Sequence, residues 1–179
     1  NVYGRAKAEG EKLISDARKA GHRACTIRLS NVFGTSSDHA DRVVPAFAQA
    51  AAHGQELRVD GSEHTFDFTH IEDVTRGITA LIDVARASPT LPPPIHFVSG
   101  KPTTLGELAA LAIQLARSAS TIRQAPPRSF DVARFWGDPT RAHTLLDWQP
   151  QVSLEQGLSG LINAFRETRE PGRSQEPAQ

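Results

Sequence analysis

Methionine is absent from the chain, cysteine and tyrosine occur once each, and neither sign of charge is in excess, since 20 Lys plus Arg balance 20 Asp plus Glu. A lone cysteine, Cys25, excludes an internal disulfide and permits a reducing compartment. Balanced charge removes the general attraction that nucleic-acid and anionic-membrane binders rely on, so any recognition of an anion has to be local. No apolar run approaches a membrane span and the first residues do not resemble a secretory signal, which leaves cytoplasmic residence as the default expectation. His22, His39, His53, His64, His70, His96 and His143 show no metal-ligand spacing with Cys25 or with nearby acids, so no metal site is expected. Aromatic residues make up 6% of the chain and are not interleaved with basic ones, which argues against single-stranded nucleic acid as a partner.

What is present is an alternation of helical and extended patterns. Helices are expected from Tyr3 to about Ala20, from Val43 to Ala52, along the stripe Val74, Ile78, Leu81, Ile82 and Ala85, from Leu105 to about Ala116, from Asp138 or Thr140 through Leu146, and from Leu154 to about Arg166. Short strands are expected at Ala24–Leu29, Leu57–Val59, Thr65–Ile71 and Ile95–Val98. Thr103 or Thr104 with Glu107 has the spacing of a capping box. This alternation is the signature of the α/β class. There are too few strands for a whole doubly wound sheet, and no Gly-rich phosphate loop follows a strand, so a nicotinamide cofactor has no complete site in these residues. A first residue that enters a helix without an initiating methionine suggests a piece of something longer.

The stretch Tyr3-Gly4-Arg5-Ala6-Lys7 carries the first chemical signal. On a helix, side chains four residues apart share a face, so an ammonium can stand beside a phenol. A neighbouring positive charge favours the phenolate over the phenol and makes tyrosine a usable base nearer neutrality. The spacing alone is met more often in plain amphipathic helices, and Ala6, Gly10, Leu13, Ile14 and Ala17 form an apolar stripe that needs no catalysis.

Further segments follow in order: Arg28-Leu29-Ser30-Asn31-Val32-Phe33-Gly34, Val44-Pro45, Asp67-Phe68-Thr69-His70-Ile71-Glu72-Asp73-Val74, and Leu146-Asp147-Trp148-Gln149-Pro150. Together with the Tyr3 segment they resemble the C-terminal half of an extended short-chain dehydrogenase/reductase of the NAD-dependent nucleotide-sugar epimerase/dehydratase family. The resemblance implies a fold made of the C-terminal part of a Rossmann-type domain plus a smaller mixed α/β substrate-binding domain. Residues 1–34 would end the Rossmann-type domain, 35–167 would be mainly substrate-binding, and 168–179 would be a disordered tail. It also implies that Tyr3 is the acid/base at a sugar hydroxyl or carbonyl and that Lys7 holds the nicotinamide ribose. Leu29 and Ser30 would border the cofactor, and Asn31, Val44, Arg58, Arg128 and Asp131 would contact the substrate. Val44 and the Leu57–Val59 segment would do so largely through main-chain groups, and the Arg128 fork would grip a diphosphate.

The implied cofactor is NAD or NADP in the full-length parent, the implied partner is a nucleotide-sugar or related small molecule, and a homodimer is among the assemblies. Neither nucleic acid nor membrane is expected as a partner. One departure stands out: where the family often carries a second phosphate-binding arginine, this chain has Phe66. Arg58 or His64 would have to supply the missing cation, and Arg134 could stand in for Arg128. The departure keeps two alternatives open, a non-catalytic relative that binds a small molecule or a partner, and a reductase of a non-nucleotide carbonyl compound. Asp73 is expected to be structural, as a cap of the helix that follows.

Overall fold

The computed structural model describes residues 2–39, 41–127 and 132–168. Arg128, Asp131 and residues 169–179 of the tail expected at 168–179 therefore fall outside the described residues. The elements run α1 (Val2–Lys19), β1 (Ile27–Leu29), β2 (Asn31–Phe33), α2 (Val43–Ala52), β3 (Leu57–Asp60), β4 (Thr65–His70), α3 (Ile71–Ala87), β5 (Ile95–Phe97), β6 (Pro102–Thr104), α4 (Leu105–Ala116), β7 (Ile122–Ala125), β8 (Arg134–Phe135), α5 (Thr140–Leu146) and α6 (Leu154–Glu167). The expected helices all form, and the α/β class holds.

Four strands exceed the sequence expectation: β7, which pairs in parallel with β3, and three short segments that gather on β4. The polar stretch Ser30–Gly34 contains β2, because Asn31–Phe33 pairs in parallel with Phe68–His70 of β4. The turn before α4 contains β6, antiparallel to the start of β4, and β8 lies parallel to Thr65–Phe66. None of these short segments has a period of its own, so pairing with β4 rather than local pattern determines them. The other pairs are parallel: β1 with β5, and β3 with β7. Parallel neighbours need crossover connections, which α2, α3 and α4 supply.

Two cores result. The larger joins Val44, Phe47, Ala48 and Ala51 of α2, Leu108, Ala109 and Ala112 of α4, and Leu158, Leu161 and Ile162 of α6, with Leu57 and Val59 of β3 beneath them. The smaller gathers Ile95, Phe97, Ala142 and Trp148, backed by Ile27, Ile78, Leu81 and Leu146. The N-terminus of α4 is satisfied by side chains, as expected, where Thr104 and Glu107 form a capping box; Ser153 and Gln156 do the same for α6.

Asp73 is structural, but by a route the sequence did not indicate. His70 caps α3, its ring accepting from the Glu72 amide, which leaves Asp73 for other work. The fully buried Asp73 carboxylate accepts from the Gln151 and Val152 amides and pairs with Arg76, while its backbone carbonyl accepts from the Trp148 indole. It thus fastens the start of α3 to the segment leading into α6.

Candidate active site at the Tyr3–Lys7 helix

Helix α1 forms because its residues are rich in Ala, Glu, Lys and Arg, with Arg18 and Lys19 in the last turn where cations suit the helix dipole. The helix places Tyr3 and Lys7 on one face, with the Lys7 Nζ 5.4 Å from the centre of the Tyr3 ring. Tyr3 is 71% exposed, and no residue of α1 is buried. The pair is thus formed, and it opens to solvent.

Strand β1 is parallel to β5, and its carboxyl end leads through Ser30 into β2. Leu29 is 40% exposed there. Ser30 is half-buried, and its hydroxyl donates to Asp67 Oδ1 at 3.1 Å and lies 2.9 Å from Thr69 Oγ1. Asp67 is completely buried and also accepts from the Thr69 hydroxyl and from the Ser99 and Gly100 amides. A buried carboxylate survives when its lone pairs are met in this way, and here it locks β4 to the β1–β2 junction and to the turn after β5. This role of Asp67 is not legible in the sequence, because its Asp-Phe pattern says nothing of two distant backbone amides. Asn31, half-buried at the first position of β2, sits opposite Phe68. At the far end of β2, Gly34 has φ 134, and a Cβ there would lie 2.6 Å from the His70 ring.

The remaining predicted residues spread over the adjoining layer. Val44 is 2% exposed in the α2 core, so its side chain is packing and only its main chain remains for a ligand. Arg58 projects from β3, where its Nε donates to Asp60 Oδ1 at 2.8 Å. Its charge is therefore already partnered. Phe66 packs against the larger core, edge-on to Phe68 and to His64 at 6.4 Å between ring centres, with Phe135 of β8 beside it in register. His64 at this place meets a ring. Arg134 is exposed and lies opposite Thr65, one register position from Phe66.

A charged relay links α1 to the β1–β5 pair. Arg28 donates from Nε and Nη2 to both carboxylate oxygens of Glu11, and its Nη1 lies 3.1 Å from His96 Nε2. The guanidinium holds the Glu11 carboxyl below its ordinary range, and the carboxylate in turn raises Arg28. Burial, with Arg28 alongside, pushes His96 below the ordinary histidine value. A cleft of about 160 Å³ lies beside them, lined by Arg28, Pro94, His96, Asp138 and Arg141. Sequence reasoning missed this relay, although Arg28 lay within a segment it had singled out. Among the described residues there is no cluster of His, Cys, Asp and Glu able to hold a metal, and no helix is long and apolar enough to cross a membrane.

A profile of the NAD dependent epimerase/dehydratase family matches residues 1–94. The chain belongs to that family. It is 31% identical over 155 residues to UDP-glucuronic acid decarboxylase 1 of Xenopus tropicalis, covering 86% of this chain and 36% of that protein. Against the UDP-glucose 4-epimerase of Mycolicibacterium smegmatis it is 28% identical, covering 92% of this chain and 52% of that one. Among solved structures, the UDP-glucose 4-epimerase of Thermotoga maritima with UDP-glucose superposes with a TM-score of 0.83 at 30% identity, over 94% of this chain and 54% of that chain. The Thermus thermophilus UDP-glucose 4-epimerase in complex with NAD gives 0.77 at 25% identity, over 92% and 53%. This family member thus spans about a third to a half of the length of these relatives.

Proposed function

We propose that this chain carries the acid/base pair and part of the substrate pocket of an NAD-dependent epimerase or dehydratase acting on a nucleotide-sugar. The observation that carries the reading is the Tyr3–Lys7 pair on one face of α1, with Lys7 Nζ 5.4 Å from the ring, in a chain of this family. In this role the Tyr3 phenolate oxygen takes the proton of a sugar hydroxyl as that carbon becomes a ketone, and returns it in the reverse step. The Lys7 ammonium, on the same helix face, offers hydrogen bonds to a ribose. Bound NAD supplies the hydride acceptor and donor.

The residues of this chain fit such a cofactor in part: Tyr3 and Lys7 stand free on an open face, and Leu29 borders the carboxyl end of β1, where ligands of parallel sheets bind. Asn31 and the main chain of Val44 are assigned to the sugar-nucleotide side by resemblance. Arg128 and Asp131, outside the described residues, are assigned to the diphosphate and ribose by resemblance. By the same resemblance, residues 1–34 other than Asn31 belong to the cofactor side and 35–167 mainly to the substrate side.

A second reading is favoured by one observation. Phe66 belongs to an aromatic group and Arg58 is already bound to Asp60, so neither supplies a second phosphate cation. A reductase of a non-nucleotide carbonyl compound would not need one. The test is a turnover panel on the complete protein with NAD and NADPH, offering UDP-glucose, UDP-glucuronate and a simple ketone. Conversion of a UDP-sugar supports the first reading. Turnover of the ketone alone supports the second, and binding of UDP-sugars without turnover would contradict both.

A further inference from the structure

Helix α1 has no buried residue, yet it has a defined attitude on the sheet. Its half-buried residues are Glu11, Ala17 and Arg18. Glu11 takes two hydrogen bonds from Arg28 of β1. Arg18 donates from Nη1 to the carbonyls of Ala24 and Pro92, and from Nη2 to that of Leu91. With about 100° of rotation per residue, Tyr3, Lys7, Glu11, Ile14 and Arg18 fall within an arc of about 80° of the helix surface. The face that bears the Tyr3–Lys7 pair is therefore the same face that Glu11 and Arg18 fasten down. Apolar packing is non-directional and would tolerate some roll of the helix, whereas a bidentate carboxylate–guanidinium pair and a three-carbonyl fork fix rotation and register together.

The direction of the helix adds to this. Arg18 anchors the end of α1 near Ala24, and Glu11 meets β1 at Arg28, so α1 runs counter to the strand and Tyr3 lies beyond its carboxyl end. The eight residues from Glu11 back to Tyr3 span about 12 Å of helix, and the three from Arg28 to Asn31 span about 10 Å of strand. Tyr3 and Asn31 thus end at a similar level.

We propose that Glu11 and Arg18 are positioning residues that set the rotation of α1 and thereby aim Tyr3 and Lys7 at the carboxyl end of β1. Arg28 is the fixed point for Glu11, held from its other side by His96. This rests on the reading of Tyr3 as acid/base, and two measurements separate the two ideas. The first is amide hydrogen exchange of α1 in Glu11→Gln and in Arg18→Met, with α4 as the internal control. Exchange along α1 should accelerate by about tenfold or more while α4 stays unchanged. The second is steady-state turnover of the complete protein: kcat should fall by about tenfold or more, with KM for the sugar nucleotide within about twofold, since a misaimed acid/base lowers the chemical step.

Reversing the pair, Glu11→Arg with Arg28→Glu, should recover both signals, and Arg18→Lys, which presents a point charge in place of a fork, should recover neither. Wild-type exchange in α1 for Glu11→Gln and Arg18→Met would overturn the proposal, as would a loss confined to KM. If a variant fails to fold, Arg28→Lys keeps the charge while losing the bidentate geometry and is read by the same two criteria. Retained turnover in a Tyr3 variant would remove the acid/base reading alone, and α1 exchange would still decide the tethers.

Discussion

Helices α1 and α6 are both long and amphipathic by pattern, and they are held in opposite ways. Helix α6 buries Gly157, Leu158, Leu161, Ile162 and Phe165 and begins with a capping box. Helix α1 buries nothing, and its tethers are Glu11 to Arg28 and Arg18 to three carbonyls. The stability of this chain therefore resides in the α2, α4 and α6 layer, while the surface proposed for chemistry is open and fastened by polar bonds. An element that must present a titratable phenol and an ammonium to ligands cannot also bury them cheaply.

The largest effect that can break this contrast is truncation. Leu158→Ala, at a site with 0% exposure, should cost about 2–5 kcal/mol in denaturant unfolding. The same change at Leu13, 70% exposed on α1, should stay within about 0.5 kcal/mol. Comparable losses at the two sites would remove the distinction. A second pair sharpens it with glycine. A Cβ at Gly157 would lie 2.6 Å from Phe33 Cε2, so Gly157→Ala should destabilise by about 1–3 kcal/mol. Gly10 of α1 has nothing within 4 Å of such an atom, so Gly10→Ala should stabilise by about 0.5–1 kcal/mol through helix propensity. Melting curves of the two variants should therefore shift in opposite directions.

The smallest expected effect is a pH dependence at the sheet side of the α1 tether. The folded His96 value lies below that of the unfolded chain, through burial and the nearby Arg28 and Arg141, against the opposing influence of Asp138. The unfolded chain then binds the extra proton, so the His96 contribution is intact above about pH 6.5 and is lost as pH falls through the depressed folded value. Glu11, also depressed, loses its contribution in the same direction at lower pH, below the usual glutamate value. In His96→Gln the slope of stability between pH 7 and the acid side should flatten relative to the unsubstituted chain, and an unchanged slope would count against the relay.

Much of the fold was legible. Helix α2 and helix α4 follow from clear 3.6-residue periods bounded by Gly54 and by the Thr104–Glu107 box. Strands β2, β6 and β8 were not, since each has three residues or fewer and exists only through pairing with β4. On α1, the shared face of Tyr3 and Lys7 followed from spacing. The Glu11–Arg28 pair did not, because 17 residues of sequence separate partners that only the return of β1 beneath α1 brings together. Asp67 and Asp73 were hidden for the same reason: their partners are backbone amides more than thirty and seventy residues away. Arg58 has the right chemistry for a phosphate, and the structure gives it a nearer partner in Asp60.

The most direct measurement is turnover of Tyr3→Phe in the complete protein, beside its affinity for UDP-glucose. Tyr3 is 71% exposed, so losing one hydroxyl should leave the fold untouched. For an acid/base at Tyr3, kcat should fall by about a hundredfold or more while nucleotide-sugar affinity stays within about threefold. A variant that turns over at the unsubstituted rate would contradict that role.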